Sequence, residues 1–136
     1  MISVTIEAHT ERPISPEAVQ HLYTTVRWWP ERSIATIAAI LDTSIAVGAW
    51  SGDELVGFAR AVTDSHVRAY IEDVAVLPAY RRNGVGEKIL RLLLEKLQHI
   101  ETISLFCKHE FVSWYERVGF AAREAQTVMH HRRQAL

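Results

Sequence analysis

A β-rich run at residues 67–77 is stopped by Pro78, and an amphipathic helix at residues 85–98 begins shortly afterwards. Val85, Ile89, Leu93 and Leu97 recur every four residues with Leu90 and Leu94 beside them, while Glu87, Arg91 and Glu95 line another face. A helix with one apolar stripe has to bury it, and the strand before it supplies the partner layer. Between the two lies Arg81-Arg82-Asn83-Gly84-Val85-Gly86. This strand, turn and helix fix the middle of the fold.

The flanking sequence fills in the remaining layers. Ile2, Val4 and Ile6 alternate with polar neighbours and predict a first strand. Ser15-Pro16-Glu17 supplies a cap, a first-turn proline and a first-turn acid for a helix reaching Val26. Trp28-Trp29-Pro30 breaks it, and a second helix is predicted over 31–41. Residues 44–50 and 54–62 are β-rich and joined by Ser51-Gly52-Asp53, a hairpin signature. After the long helix come a short buried strand at 102–106 and a short helix at 111–117 with Gly119 as its cap. Residues 120–129 are predicted to close the sheet as one or two further strands. The expected product is a single α/β domain over residues 1–136, a mixed sheet between helices.

Composition narrows the class of partner. The chain is 136 residues long, 49% hydrophobic and 23% charged, enough to bury a core in one domain. Its net charge of -1 argues against general nucleic-acid binding, which needs a basic surface. No apolar run approaches membrane-spanning length, so no membrane partner is expected. Cys107 is the single cysteine, which excludes an internal disulfide and suits a cytoplasmic location. Cys107 itself is expected to be a buried strand residue rather than an acyl carrier. The seven histidines lack zincin spacing, and His130-His131 reads as an exposed strand end, so no metal is expected.

The turn before the long helix carries the functional signal. A helix N-terminus presents unpaired N–H groups and partial positive charge, worth about 0.3–2 kcal/mol to an anion placed there. Gly84 and Gly86 let a pyrophosphate approach the main chain, and Arg81 and Arg82 can add charge-assisted bonds. A Walker A string is absent, and the third glycine of a dinucleotide fingerprint is replaced by isoleucine.

Val76-Leu77-Pro78-Ala79-Tyr80-Arg81-Arg82-Asn83-Gly84-Val85-Gly86 resembles the signature of the GNAT superfamily of N-acetyltransferases, [RQ]-x-x-G-x-[GA] after a strand. Trp114-Tyr115-Glu116-Arg117-Val118-Gly119-Phe120 is similar to the family's F-Y-x-x-x-G-F segment. The stretch between them holds the expected helix and strand. The resemblance implies a mixed, mostly antiparallel sheet of six to seven strands flanked by about four helices, with a splayed parallel strand pair holding acetyl-CoA. It implies that main-chain groups of Val74, Ala75 and Val76 meet the pantetheine arm and acetyl carbonyl. Amides of Arg82, Asn83, Gly84, Val85, Gly86 and Glu87, beside Arg81, would hold the pyrophosphate. Lys108 and Phe111 depart from the asparagine and alanine found in many members.

The implied reaction is direct attack of a primary amine on acetyl-CoA in a ternary complex. A lysine-like amine with pKa about 10.4 must lose a proton, the developing oxyanion needs donors, and the departing thiolate benefits from a proton. The resemblance makes Tyr115 the acid. Tyr70-Ile71-Glu72-Asp73 resembles the polyamine and thialysine branch, which makes Glu72 the base or amine anchor, with Asp73 as a substrate residue. Neighbouring strand residues point to opposite faces, so Glu72 and Asp73 are expected not to share one task. Trp28 and Trp29 fall where family members wall the acceptor site, and at least one of them is expected to cap the core. The acceptor stays open between a small amine, an amino acid or polyamine, and a peptide amine. A homodimer paired through the C-terminal strands is a further expectation. The alternatives are a non-catalytic acyl-CoA-sensing or interaction module on the same fold, and a nucleotide-binding protein.

Overall fold

The computed structural model describes residues 3–133, which divide between Phe106 and Cys107 into two compact units. The first unit contains β1 (Thr5–Ala8), α1 (Pro16–Val26), α2 (Ile34–Thr43), β2 (Ile45–Ser51), β3 (Glu54–Thr63), β4 (Arg68–Val76), α3 (Val85–Lys96) and β5 (Thr102–Leu105). The five strands lie side by side in sequence order, antiparallel from β1 to β4 and parallel between β4 and β5. The parallel pair requires a crossover, and α3 provides it.

Local chemistry sets the helix ends. Ser15 Oγ accepts from the Ala18 N–H at 3.1 Å, and Pro16 opens α1. At the other end Arg27 takes φ 63 while the Arg27 and Trp28 amides close back on Thr24 and Tyr23. The second helix starts at Ile34 rather than Glu31 because Ser33 Oγ accepts from Thr36 N at 3.1 Å.

Both faces of the sheet are covered. A Cβ added to Gly57 would lie 2.7 Å from Ile89 of α3, whereas the ring of the adjacent Phe58 meets Tyr23 of α1 edge-on at 6.3 Å. Successive strand residues face opposite ways, so α3 and α1 occupy opposite faces. The unbroken burial of residues 55–61 follows from this double cover. Val85, Ile89, Leu90 and Leu93 carry the buried stripe of α3.

Strand β4 is irregular where it matters. Phe58 pairs with Ala75, but Arg60 pairs with Glu72, so Asp73 and Val74 together stand against Ala59. This is a β-bulge, and Asp73 adopts φ 61 within it. On its other side β4 pairs with β5 only from Arg68–Thr102 to Ile71–Leu105.

The second unit, described to residue 133, holds a 3₁₀ turn at His109–Phe111 and α4 (Val112–Glu116). Gly119, at φ 101, closes the short helix: its N–H meets Glu116 and that of Phe120 meets Tyr115.

Several expectations need correction. The sheet has five strands among the described residues, not six to seven, because residues 120–133 form none. Residues 121–133 are exposed and include three alanines, three arginines and two histidines, with no alternating apolar face to pay for strand pairing. The expected dimerisation through C-terminal strands therefore has no strand to rest on among the described residues. Strand β5 is half-exposed rather than buried and stops at Leu105, so Cys107 is an exposed residue beyond it. His130 and His131 are exposed but lie in no strand. Ile2 of the predicted first strand lies outside the described residues.

Candidate functional site

Arg60 is the one charged side chain in the apolar run of β3, and burial to 7% exposure forces it to find counter-charges. Its Nε donates to Asp73 Oδ2 at 2.8 Å, Nη2 to Glu72 Oε2 at 2.7 Å and Nη1 to Ser44 Oγ at 3.3 Å. Glu72 is its direct cross-strand partner, and the bulge brings Asp73 round to the same guanidinium. The expectation that alternation would separate the two carboxylates is thus overturned by one extra residue in the strand.

Asp73 is buried and saturated with donors. Besides Arg60, its Oδ2 accepts from the Tyr23 hydroxyl at 2.7 Å and from Arg32 Nη1 at 3.5 Å, while Oδ1 accepts from Trp29 Nε1 at 3.2 Å. Two carboxylates thus balance two guanidinium groups. Burial weakens the Arg60 charge, but the Asp73 and Glu72 carboxylates outweigh it and hold the pKa above its ordinary value. Burial, followed by the negative charge of Asp73, pushes the Tyr23 phenol well up, so it stays a donor. Tyr70, two residues before Glu72 on the same strand, is raised by burial and then by Glu72 and Asp73.

Glu72, Asp73, Trp28 and Trp29 line one cavity of about 410 Å³. Neither indole caps the core, contrary to expectation: Trp28 is 43% exposed and Trp29 47%. The break after α1 turns them outward, with Arg27 at φ 63 and Trp29 at φ 47. Left-handed geometry at a tryptophan is sterically costly. Here the bond to Asp73 and the Arg32 guanidinium, 4.6 Å from the ring centroid, hold it.

Beyond the carboxylates, Val74, Ala75 and Val76 run to the end of β4, past the last residue paired with β5. Arg81 Nε turns back to donate to the Val76 carbonyl at 2.9 Å, and Asn83 Nδ2 bonds the Arg81 carbonyl at 3.2 Å. Arg82 and Gly84 sit at φ 66 and φ 76 on either side of Asn83, the kind of alternation that can turn successive N–H groups toward one side. The cap residue Gly84 has no side chain to close the start of α3, and among the described residues nothing lies within 4 Å of where a Cβ on Gly84 would be. Val85, Gly86 and Glu87 form its first turn. Such a start fits a diphosphate.

Tyr115 belongs to the second unit, on α4, with Trp114 and Phe120 edge-on at 4.8 and 6.0 Å. Burial, and then the electrostatic influence of Cys107, push its phenol up to about 12.

Sequence reasoning missed Arg60, Tyr23, Arg32 and Ser44. The available signal was the lone arginine within an apolar strand, which demands a buried acid nearby.

Comparison with known proteins places these features in context. The model of the Acetyltransferase (GNAT) family matches residues 6–120. An uncharacterized N-acetyltransferase ycf52-like protein of Prochlorococcus marinus is 34% identical over 99 residues, covering 68% of this chain and 55% of its own. The chain spans about half the length of the curated relatives it matches. A GNAT-family acetyltransferase of Streptococcus pneumoniae superposes with a TM-score of 0.83 at 26% identity, over 98% of this chain and 100% of that one. The aminoglycoside N-acetyltransferase AAC(6')-Iy, solved in complex with CoA, shares the fold at TM-score 0.71 and 16% identity, covering 99% and 97%.

Proposed function

The chain belongs to the GNAT family of acetyltransferases, and we propose that it moves an acetyl group from acetyl-CoA to a primary amine by direct attack in a ternary complex. The carrying observation is one of order along a strand. The Glu72–Asp73 cavity on β4 is followed at once by Val74, Ala75 and Val76, and then by the turn into the uncapped start of α3. An amine site and a diphosphate site thus lie at two points of one continuous main chain.

Acetyl-CoA, when bound, supplies an activated thioester. Main-chain groups of Val74, Ala75 and Val76 align its pantetheine arm, and the amides of residues 82–87 hold its diphosphate with help from Arg82. Glu72 serves the acceptor. Its Oε2 is held by Arg60, while no protein donor among the described residues reaches Oε1. That oxygen receives the ammonium and takes its proton, directly or through water. Trp28 and Trp29 wall the acceptor, and Asp73 fixes the wall by holding the Trp29 indole. The likeness of Trp114–Phe120 to the family's F-Y-x-x-x-G-F segment supports giving Tyr115 the task of a hydrogen-bond donor to the departing thiolate.

The test is a melting scan with acetyl-CoA, free CoA, ATP and NAD, followed by thiol release over a panel of primary amines. Acetyl-CoA is expected to raise the melting temperature most, and at least one amine to release thiol. Stabilisation by acetyl-CoA without thiol release would favour a sensing module. A larger shift with ATP or NAD would favour a nucleotide-binding protein.

A further inference from the structure

Resting on the reading of Glu72 as the acceptor-side carboxylate, we propose that Arg60 is a positioning residue that aims Glu72 into the acceptor cavity. Arg60 and Asp73 are the charged residues buried below a tenth exposure among the described residues. If Arg60 served only to neutralise Asp73, a two-pronged bond between the two would suffice. Instead the guanidinium is divided three ways, each nitrogen going to a different residue: Asp73, Glu72 and Ser44. Ser44 is the cap residue of α2 and the two acids belong to β4, so the plane of the guanidinium is fixed from two elements.

Glu72 needs that support. Its side chain is 29% exposed, and an unrestrained glutamate side chain samples many rotamers that point away from the cavity. The 2.7 Å bond from Arg60 Nη2 occupies Oε2 and leaves Oε1 for the acceptor. Lysine keeps the charge at this position but loses the planar fork, so it cannot hold both acids and Ser44 at once.

The experiment compares wild type with Arg60→Ala and Arg60→Lys. Thiol release is measured with n-butylamine, lysine and spermidine, alongside the melting shift produced by acetyl-CoA. The acetyl-CoA shift is expected to persist in both variants. In Arg60→Ala, kcat/KM for the amine falls about 100-fold, the cost of a slightly misplaced group. Guanidinium at sub-denaturing concentration restores part of that loss by filling the vacated space, which a general loss of stability would not allow. Unchanged kcat/KM, or a loss that guanidinium leaves untouched while the acetyl-CoA shift persists, overturns the proposal. A crystal structure of Arg60→Lys provides a readout that needs no turnover. A Glu72 carboxylate turned out of the cavity supports the proposal, and one held as in wild type overturns it. Wild-type protein that releases no thiol with any amine would sink the transferase reading itself. The orientation of Glu72 in the lysine variant would still decide the role of Arg60.

Discussion

The phenol of Tyr23 donates to Asp73 Oδ2 at 2.7 Å, tying the last turn of α1 to the bulge of β4 across fifty positions of sequence. Tyr23→Phe keeps the ring against Phe58 and removes one donor from a buried carboxylate. Bonds to charged groups contribute about 1.5–3 kcal/mol, so the urea midpoint at neutral pH should fall correspondingly. The alkaline side gives a second readout. The Tyr23 phenol is raised above its unfolded value, so its contribution is complete below about pH 10 and is lost as pH rises further. The phenylalanine variant should lose less stability over that alkaline range than wild type.

Tyr115→Phe separates bonding from proton transfer. A phenol pushed up to about 12 stays protonated through the physiological range. Passing its proton fully to a thiolate of pKa about 8.5 would cost about 5 kcal/mol, so the expected contribution is a hydrogen bond. Turnover should drop about 10- to 100-fold, the value of one bond to a charged group, while the acetyl-CoA melting shift is retained. Steady-state thiol release combined with the melting scan checks both halves. Undiminished turnover would remove Tyr115 from the mechanism.

Gly86→Asp offers a diagnostic split between folding and ligand binding. An acid in the first turn of a helix stabilises the helix by about 0.3–1 kcal/mol, so the ligand-free melting temperature should hold or rise. The same charge repels a diphosphate, so the acetyl-CoA shift should shrink sharply. Calorimetric titration with acetyl-CoA would show the loss directly, and unchanged affinity would move the diphosphate site elsewhere.

Gly57→Ala probes the seat of α3. The added methyl meets Ile89 Cδ1 at 2.7 Å and Ala49 Cβ at 3.2 Å, contacts that force Ile89 out of its place or move the helix against the sheet. Overpacking of this kind costs about 1–3 kcal/mol, to be read from chemical denaturation. A neutral result would show that Ile89 can change rotamer freely.

Regular elements were legible in the sequence wherever one interaction dominates. The stripe of α3, the Ser15 cap and the Gly52 hairpin each rest on local chemistry, and all three stand where expected. The C-terminal strands did not form, because Val128 and Met129 are apolar without an alternating pattern around them. At the site, Trp28, Trp29, Glu72 and Asp73 were all named from the chain, yet their relationship was not. Alternation forbade Glu72 and Asp73 from cooperating, and a bulge leaves no trace in residue type here, since the left-handed position is an aspartate and not a glycine. The partners of that aspartate come from α1, α2's approach and β3, and only the folded chain brings them together.

The bulge at Asp73 also restricts how such a strand can change over time. Glu72 and Ala75 stand opposite Arg60 and Phe58, which lie two apart on β3 and share one face, so removing the bulge residue would leave the other side chains of β4 on their present faces. What would go is the Asp73 carboxylate, and with it a counter-charge of Arg60 and the bond that holds the Trp29 indole. Descendants of this chain can therefore shorten β4 here only together with a new partner for the buried guanidinium, or its replacement.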